Sequence, residues 1–260
     1  MTAERYGQIA VTWDGAVAIA QIDHPPHNHV SIELMRDLAD ASEALDAEPR
    51  CRVVVLASAG KVFCGGADLK APKGLASGES AGVSPLYDQA VRLFSNKKPI
   101  VAAIQGAAVG AGLGLALVAD FRIAAPEARF TANFVKLGFH AGFGITHTLP
   151  RVIGQQRASL LLQTGRRIKA EEALAWGLVD AIAPLDEVRQ AAIALAQEIA
   201  ENAPLAVRST RATLRGDLAA AVRAQTDHEF VEQAWLMKTE DFAEGVRAVN
   251  DRRAGVFKGA

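Results

Sequence analysis

Two glycine-rich segments carry the residue types and the spacing best suited to chemistry. Residues 105–120 read QGAAVGAGLGLALVAD, and residues 60–69 read GKVFCGGADL. Each segment follows an apolar run, so each predicts a buried strand and a tight turn whose bare backbone N–H groups approach a ligand. Two such turns that each aim one N–H group at the same oxygen form an oxyanion hole. The pattern therefore predicts acyl chemistry through an enolate or a tetrahedral anion.

The elements that position these turns follow from apolar periodicity and turn signals. Asp14 and Gly15 separate two apolar runs in the manner of a two-residue hairpin. Ser31 is suited to cap a helix whose apolar positions repeat at a period near 3.6. Strands are expected at residues 9–13, 16–22, 52–58 and 100–104 and in the runs FRIAA and FTA. Because the pattern after Gly154 is helical almost to the end, the periodicity alone predicts an α/β core followed by helices.

The two glycine segments carry a family resemblance. GKVFCGGADL resembles the G-x-x-F-(C/S)-x-G-x-D-(L/I) signature of the crotonase superfamily, the enoyl-CoA hydratase/isomerase family. KKPIVAAIQGAAVGAGLGLALVAD is similar to the second signature of that family, and the resemblance runs from about residue 9 to residue 259 without a large gap. It implies a crotonase-like ββα spiral core over residues 1–203. It also implies a C-terminal helical trimerisation region over residues 204–260.

Composition limits the classes of partner. With 260 residues, half of them hydrophobic, the chain can bury a sizeable core. A net charge of −1 leaves no basic stripe, which argues against nucleic acid or an anionic membrane as the main partner. The N-terminal segment has no signal-peptide pattern, no apolar run reaches about 18 residues, and only two cysteines are present. We therefore expect a cytoplasmic protein that does not enter the membrane.

The resemblance implies roles for individual residues. The backbone N–H groups of Ala67 and Ala111 are expected to form the oxyanion hole, and Asp68 resembles the helix-capping aspartate of the family. Arg252 lies where members of the family often carry a basic residue that contacts a phosphate of coenzyme A, and arginine is well suited to that contact. An ordinary solvated helix face is an equal alternative there. The residues expected to contact the substrate or its coenzyme A part are His27, Asp68, Leu69, Lys70, Gly110, Phe134, Leu137, Gly142, Arg252 and Phe257.

The chain departs from the family pattern at the two hydratase glutamates. Their positions fall at Gly114 and Phe134, and neither of these side chains can move a proton. One positioned acid or base contributes about 10² to 10⁴ in rate, so the loss of both predicts a poor hydratase.

His140 is the favoured replacement, because it lies in the loop LGFHAGFG six residues after Phe134 and histidine is the side-chain type suited to act as an acid or a base near neutral pH. In related chemistries of the superfamily this loop supplies an aspartate, at the places that Ala141 and Gly142 occupy here. A histidine that bonds to backbone or points away from the site is the alternative reading. His147 is expected inside the following helix and is a weaker candidate.

Three other readings of the sequence are disfavoured. A dinucleotide fingerprint fails because Leu115 stands where its third glycine is required. No carboxylate or cysteine completes a metal-ligand set with the histidines at 24, 27 and 29, so no metal site is expected. Cys64 precedes the GGAD turn, but the family pattern has a small packing residue at this position.

The sequence therefore favours an enzyme of the lyase or isomerase class that processes an acyl-CoA thioester and stabilises its enolate. No permanently bound cofactor is expected, since coenzyme A arrives as part of the substrate. The resemblance implies a homotrimer or a dimer of trimers, in which the apolar residues of the tail are shared between subunits. A non-catalytic acyl-CoA binding protein on the same fold is the alternative.

Overall fold

The structure is a computed structural model that describes residues 4–68 and 84–260. Its strands are β1 (Glu4–Tyr6), β2 (Ile9–Asp14), β3 (Val17–Ile22), β4 (Val53–Ser58), β5 (Ile100–Ile104), β6 (Ala107–Val109), β7 (Phe121–Ala124), β8 (Arg129–Thr131), β9 (Arg167–Lys169) and β10 (Ala181–Ile182). Its α-helices are α1 (Ile32–Ala47), α2 (Pro85–Phe94), α3 (Ala111–Ala116), α4 (Ile145–Ile153), α5 (Gln155–Thr164), α6 (Ala170–Trp176), α7 (Val188–Ala200), α8 (Pro204–Arg215), α9 (Leu218–Leu236) and α10 (Glu240–Asn250), and a 3-10 helix spans Asn133–Leu137.

The larger sheet has the order β1-β2-β3-β4-β5-β7-β10. Its first three strands are antiparallel, and pairing of Asp14 with Val17 confirms the predicted hairpin. From β3 to β10 the neighbouring strands are parallel. Every residue of β4 and β5 is buried, as is typical of parallel strands covered on both faces. The predicted α/β class is confirmed.

Helices cover both faces of this sheet. On one face α1 packs with Leu34 and Leu38 inward, and its first turn is capped by the side chain of Ser31, which accepts a 3.0 Å hydrogen bond from the Leu34 N–H group as predicted. On the other face α7 packs against the sheet through Ala192 and Ala196. No helix in the described ranges is long and apolar enough to cross a membrane.

A smaller sheet, ordered β6-β8-β9, lies next to the glycine turns. Strands β6 and β8 are parallel, and β8 and β9 are antiparallel. Two isolated parallel bridges join the segment after β4 to its surroundings, one from Cys64 to Ala108 and one from Val30 to Ala67. The GGAD turn is thereby held against β6, which leads directly into α3.

The C-terminal helices pack on the body of their own chain. Helix α9 packs against α2 and α4, and α10 packs against the 3-10 helix. Val222 of α9 is fully buried, whereas Leu214 is 76% exposed and Trp235 is 53% exposed. The chain therefore covers part of the apolar surface of its tail, and the sharing of the remainder between subunits stays a prediction, as does the division into two regions at residue 204.

Candidate functional site

The two glycine turns contact one another. The backbone N–H of Cys64 donates to the carbonyl of Ala107, and the N–H of Val109 donates to the carbonyl of Cys64, each at 3.0 Å. Gly66 has φ +79°, and a Cβ atom there would lie 2.5 Å from the Val109 oxygen and 3.7 Å from the Ala111 nitrogen. Only glycine permits both this backbone conformation and this close approach.

The two proposed donors each follow a glycine of one turn: Ala67 comes directly after Gly66, and Ala111 comes directly after Gly110. Ala111 is the first residue of α3, and first-turn N–H groups have no partner within their own helix. Gly110 precedes it with φ 54° and ψ −118°, outside the helical region. In the part of the chain that the structure describes, neither N–H group donates a hydrogen bond to the protein. No described residue therefore competes with a ligand for either donor.

A cavity of about 70 Å³ lies in front of the two turns. Of the residues predicted from the sequence, it is lined by Ala67, Gly110, Ala111, Phe134, Leu137 and Gly142. Sequence reasoning missed several lining residues, namely Leu86, Tyr87, Asn133, Phe143 and Gln233. The side chains are mainly apolar, with hydrogen-bonding groups confined to a few positions. Such a lining is typical of a site for a small organic group.

Aromatic rings form one wall of the cavity. The rings of Phe134 and Phe139 meet edge to face at 5.6 Å between centroids, and Phe139 meets Phe242 of α10 in the same manner at 5.4 Å. Helix α10 approaches this wall so closely that a Cβ atom on Gly245 would lie 2.5 Å from the carbonyl carbon of Leu137. The apolar wall is therefore held from behind by the C-terminal helix.

Phe143 occupies the space beside Gly114. A Cβ atom on Gly114 would lie 2.6 Å from Cδ1 of the Phe143 ring, so position 114 has no room for a side chain while the ring stays there. Phe143 is fully buried and has φ 67°, a conformation that side chains rarely adopt. The ring thus fills the volume next to the position that carries a glutamate in the family pattern.

A hydrogen-bonded pair of side chains forms the polar edge of the cavity. The Tyr87 hydroxyl donates to Oε1 of Gln233 at 2.7 Å, and Nε2 of Gln233 donates to the backbone carbonyl of His140 at 2.9 Å. Burial is the main cause that raises the pKa of Tyr87 above its usual range, so its hydroxyl is neutral at physiological pH. Gln233 lies on α9, and the Tyr87–Gln233 pair therefore joins the tail to α2.

The imidazole of His140 lies outside the set of lining residues. Its Nδ1 atom is 2.7 Å from the Ala141 carbonyl, and its ring faces the edge of the His228 ring at 6.0 Å. Its catalytic role stays a prediction. His147 lies within α4 as expected, and its buried Nε2 atom has no hydrogen-bond partner in the described part of the protein.

The segment of residues 24–30 lies along the GGAD turn. The Gly65 N–H donates to the His27 carbonyl at 2.9 Å, and Nδ1 of His29 is 3.1 Å from the Gly66 carbonyl oxygen. The exposed His27 ring stacks at a tilt on His29, with 5.2 Å between centroids. Within residues 4–68 and 84–260, no group of three or more histidine, cysteine, aspartate or glutamate side chains is placed to hold a metal ion.

Cys64 is a buried packing residue. Its thiol lies 3.0 Å from the carbonyl oxygen of Asn28, and burial raises its pKa to about 12. Because the thiolate is the nucleophilic form, a thiol with this pKa is unreactive at neutral pH.

The remaining predicted ligand contacts lie away from the cavity or outside the described residues. Leu69 and Lys70 fall in the range 69–83, which the structure does not describe. Asp68 is half-buried at the end of the turn. Arg252 is exposed and Phe257 is 44% exposed, and neither lines the cavity. Their contacts with coenzyme A stay predictions.

Comparison with known proteins adds a second line of information. A family model described as Enoyl-CoA hydratase/isomerase matches residues 12–260. An (E)-benzylidenesuccinyl-CoA hydratase from Thauera aromatica is 38% identical over 252 residues, which cover 94% of this chain and 96% of the relative. A carnitinyl-CoA dehydratase from Salmonella typhi is 30% identical over 259 residues, with coverage of 96% and 97%.

Solved structures agree with the sequence relatives. The crystal structure of an enoyl-CoA hydratase/isomerase from Pseudoalteromonas atlantica T6c superposes with a TM-score of 0.86 at 29% identity, and covers 97% of this chain and 100% of that one. The structure of a carnitinyl-CoA hydratase from Mycobacterium avium superposes with a TM-score of 0.85 at 32% identity, with coverage of 97% and 99%. The similarity therefore spans the glycine turns, the cavity and the helical tail together.

Proposed function

This chain belongs to the enoyl-CoA hydratase/isomerase family, and from that premise we propose that it stabilises the enolate of an acyl-CoA thioester between the backbone N–H groups of Ala67 and Ala111. The resemblance to the crotonase superfamily, the crotonase-like α/β fold and the prediction of an enzyme of this family are confirmed. The identity of the reaction and the role of each residue belong to the proposal.

The arrangement of the two turns supports the oxyanion hole. Within residues 4–68 and 84–260 neither N–H group has a protein acceptor, and both residues line the same cavity, against which a thioester carbonyl can be placed. Fixed donors of this kind act on the charge that develops on the oxygen, and the loss of one such donor costs about 3 to 4 kcal/mol of transition-state stabilisation. Coenzyme A enters as part of the thioester, so the proposal needs no permanently bound cofactor.

The cavity lining supports the proposal that the enzyme is a poor hydratase. Gly114 and Phe134 supply no group that can activate water or protonate carbon. The residues that line the cavity in the described ranges include no aspartate, glutamate, histidine, lysine or arginine. The Phe143 ring also fills the space beside Gly114, which leaves little room for a nucleophilic water there.

An oxyanion hole can be tested without knowing the reaction. We expect crotonyl-CoA to bind more tightly than crotonic acid in calorimetry, since coenzyme A contributes contacts that do not depend on the acyl group. We also expect the infrared carbonyl band of bound, isotope-labelled crotonyl-CoA to shift to lower frequency, because two donors polarise the carbonyl.

Substitutions at position 111 separate the donor from the side chain. Ala111→Pro removes the N–H group at the first position of α3, where proline is well tolerated in helices, and Ala111→Ser keeps it. The shift of the carbonyl band should be reduced in the proline variant and retained in the serine variant, with circular dichroism as the check on folding. An unshifted band in the unmodified protein, or equal affinity for acid and thioester, would contradict the proposal.

The second candidate function is that of a non-catalytic acyl-CoA binding protein. It is favoured by the same absence of charged side chains from the described cavity lining. Chromatographic analysis of the protein incubated with a panel of acyl-CoA thioesters distinguishes the two candidates. Any product formed by the unmodified protein and lost in Ala111→Pro favours the enzyme, whereas tight binding without product from any thioester favours the binding protein.

A further inference from the structure

A second cavity lies between the C-terminal end of α2 and helix α8 and has a volume of about 500 Å³. Four of its lining residues are cationic, so we call it the basic cavity: they are Lys97, Arg208, Arg211 and Arg215. We propose that the basic cavity binds an organic phosphate, a ligand with a phosphate group attached to a small apolar body. This adds a ligand site to the protein and does not depend on the enolate chemistry.

The basic cavity is separate from the cavity in front of the glycine turns, because the two share no lining residue. Helix α2 connects them. Tyr87, near its start, lines the cavity at the turns, and Phe94, its last residue, lines the basic cavity. At a rise of about 1.5 Å per residue, these two positions lie about 10 Å apart along the helix. A ligand in the basic cavity therefore occupies a site of its own.

Positive charge exceeds negative charge at this site. No aspartate or glutamate in the described ranges lines the basic cavity. The nearby carboxylate of Asp120 accepts from Arg211 at 2.8 Å and from Arg215 at 3.1 Å, so one negative charge is shared by two buried guanidinium groups. These two arginines hold α8 in place and supply fixed positive charge next to the cavity.

The other two cations have no partner. Within residues 4–68 and 84–260, neither the ammonium group of Lys97 nor the guanidinium group of Arg208 forms an ion pair or a hydrogen bond. The carboxylate of Asp46 is close to Lys97, but it accepts from the backbone N–H groups of Lys97 and Lys98, at 2.8 Å and 3.2 Å. The side chains of Lys97 and Arg208 are thus free to contact a ligand.

The pKa shifts of neighbouring groups agree with an excess of positive charge. Burial is the main cause that lowers the pKa of Lys98, and the charge of Arg208 also lowers it. Burial likewise is the main cause that lowers the pKa of Arg215; Asp120 acts in the opposite direction, and Arg211 lowers it further. A bound anion would stabilise the charged forms of both groups.

The lining favours a phosphate with an organic body over a simple carboxylate. A phosphate monoester carries about two negative charges near neutral pH, and its oxygens accept well from arginine and lysine. The hydroxyl of Ser209 adds a hydrogen-bonding group to the lining, while Phe94, Leu205 and Leu218 give it apolar surface. A cavity of this volume is also much larger than one phosphate group and lies in the range typical of sites for small organic ligands.

Phenyl phosphate, benzoate and inorganic phosphate are suitable probes in calorimetry at neutral pH. Phenyl phosphate and benzoate share the ring and differ in charge, whereas phenyl phosphate and inorganic phosphate differ in the apolar body. We expect phenyl phosphate to bind roughly tenfold more tightly than benzoate, since a second charge-assisted contact contributes about this much. It should also bind more tightly than inorganic phosphate, and its affinity should fall as sodium chloride is added.

Substitutions of the two unpaired cations assign the site. Lys97→Gln and Arg208→Gln should each weaken the binding of phenyl phosphate roughly tenfold, because each removes one charge-assisted hydrogen bond to the ligand. Both side chains are without a partner in the described protein, so circular dichroism should show an unchanged fold. Arg166→Gln is the matched control: it removes an exposed cation that does not line the basic cavity, and it should keep the full affinity.

Three results would overturn the proposal. The first is equal affinity of the unmodified protein for phenyl phosphate and benzoate, or no binding of phenyl phosphate at millimolar concentration. The second is binding that survives in Lys97→Gln and Arg208→Gln but is lost in Arg252→Gln, which would place the ligand at the predicted coenzyme A contact. The third is a parallel loss of affinity for crotonyl-CoA in Lys97→Gln and Arg208→Gln, which would make the basic cavity part of the thioester site.

Discussion

The carboxylate of Glu229 accepts a 2.7 Å hydrogen bond from the backbone N–H of Gly144 and so ties α9 to the start of α4. Its other oxygen accepts from the N–H and the hydroxyl of Thr146. Glu229 is fully buried, and burial is the main cause that raises its pKa to about 7. A buried acid thus lies at the junction of the tail with the loop that carries Gly142 and Phe143.

This shifted pKa predicts a pH dependence of stability. Between an ordinary value of 4.5 and about 7, the folded state keeps the proton of Glu229 and the unfolded state releases it. Stability contributed by this group is therefore present at low pH and falls as pH rises through this window. The expected loss is about 3 kcal/mol in the free energy of unfolding. Urea unfolding at pH values of about 5 and about 8 measures it.

The Glu229→Gln variant isolates the effect, because it removes one titrating group and keeps the rest. Its stability should fall less between the two pH values than that of the unmodified protein. Identical changes in the two proteins would show that Glu229 titrates in the folded state as it does in the unfolded chain.

Gly114→Ala should destabilise the fold. Its Cβ atom collides with the Phe143 ring, and overpacking of this kind costs about 1 to 3 kcal/mol. Phe143→Leu provides the companion variant, since a smaller side chain vacates part of the same space. In a double-mutant cycle by urea unfolding, the double variant should be less destabilised than the sum of the two single variants. Strict additivity would indicate that the ring moves aside without cost.

Hydration of crotonyl-CoA should be slower than in a relative with two catalytic glutamates by several orders of magnitude, because each missing group removes about 10² to 10⁴ in rate. Loss of absorbance of the conjugated thioester follows the reaction. A rate within about tenfold of such a relative would be a smaller deficit than the loss of even one acid or base causes. It would show that another pair of groups performs the proton transfers.

Asp120→Asn should be far more destabilising than the loss of a surface ion pair. The Asp120 carboxylate accepts hydrogen bonds from Arg211 at 2.8 Å and from Arg215 at 3.1 Å, and these largely buried pairs hold α8 to the body of the protein. Loss of the carboxylate leaves two buried cations unpaired, at a cost of about 3 to 5 kcal/mol.

Asp40→Asn is the matched control, since Asp40 pairs with Arg92 at the surface and is 48% exposed. This change should cost less than about 1 kcal/mol. Thermal unfolding of the two variants gives the comparison. Equal midpoints would contradict the assigned role of Asp120.

His140→Ala should lower turnover of the acyl-CoA that the panel identifies as substrate, while thioester binding stays nearly unchanged. At the cavity edge the backbone carbonyl of His140 accepts a hydrogen bond from Gln233, and this carbonyl remains in the variant. Steady-state kinetics and calorimetry measure the two effects separately. Full turnover in the variant would mean that the imidazole has no part in the chemistry.

Local signals in the sequence were sufficient for the features that depend on neighbouring residues. The Asp14–Gly15 hairpin, the Ser31 cap and the two glycine turns each result from a few adjacent positions, and all are present. The contact of Tyr87 with Gln233 joins positions 146 residues apart, and no periodicity or spacing marks either residue. Tertiary packing alone brings them to the cavity.

The order of synthesis has a consequence for the cavity wall that α9 and α10 complete. The ribosome makes both glycine turns long before Gln233 and Phe242, so a nascent chain can fold its turns while the cavity is still open on one side. The apolar residues of the lining then lack the cover of α9 and α10 until these helices emerge. A chain interrupted before residue 233 contains both glycine turns but lacks Gln233 and Phe242, which complete the cavity and its aromatic wall.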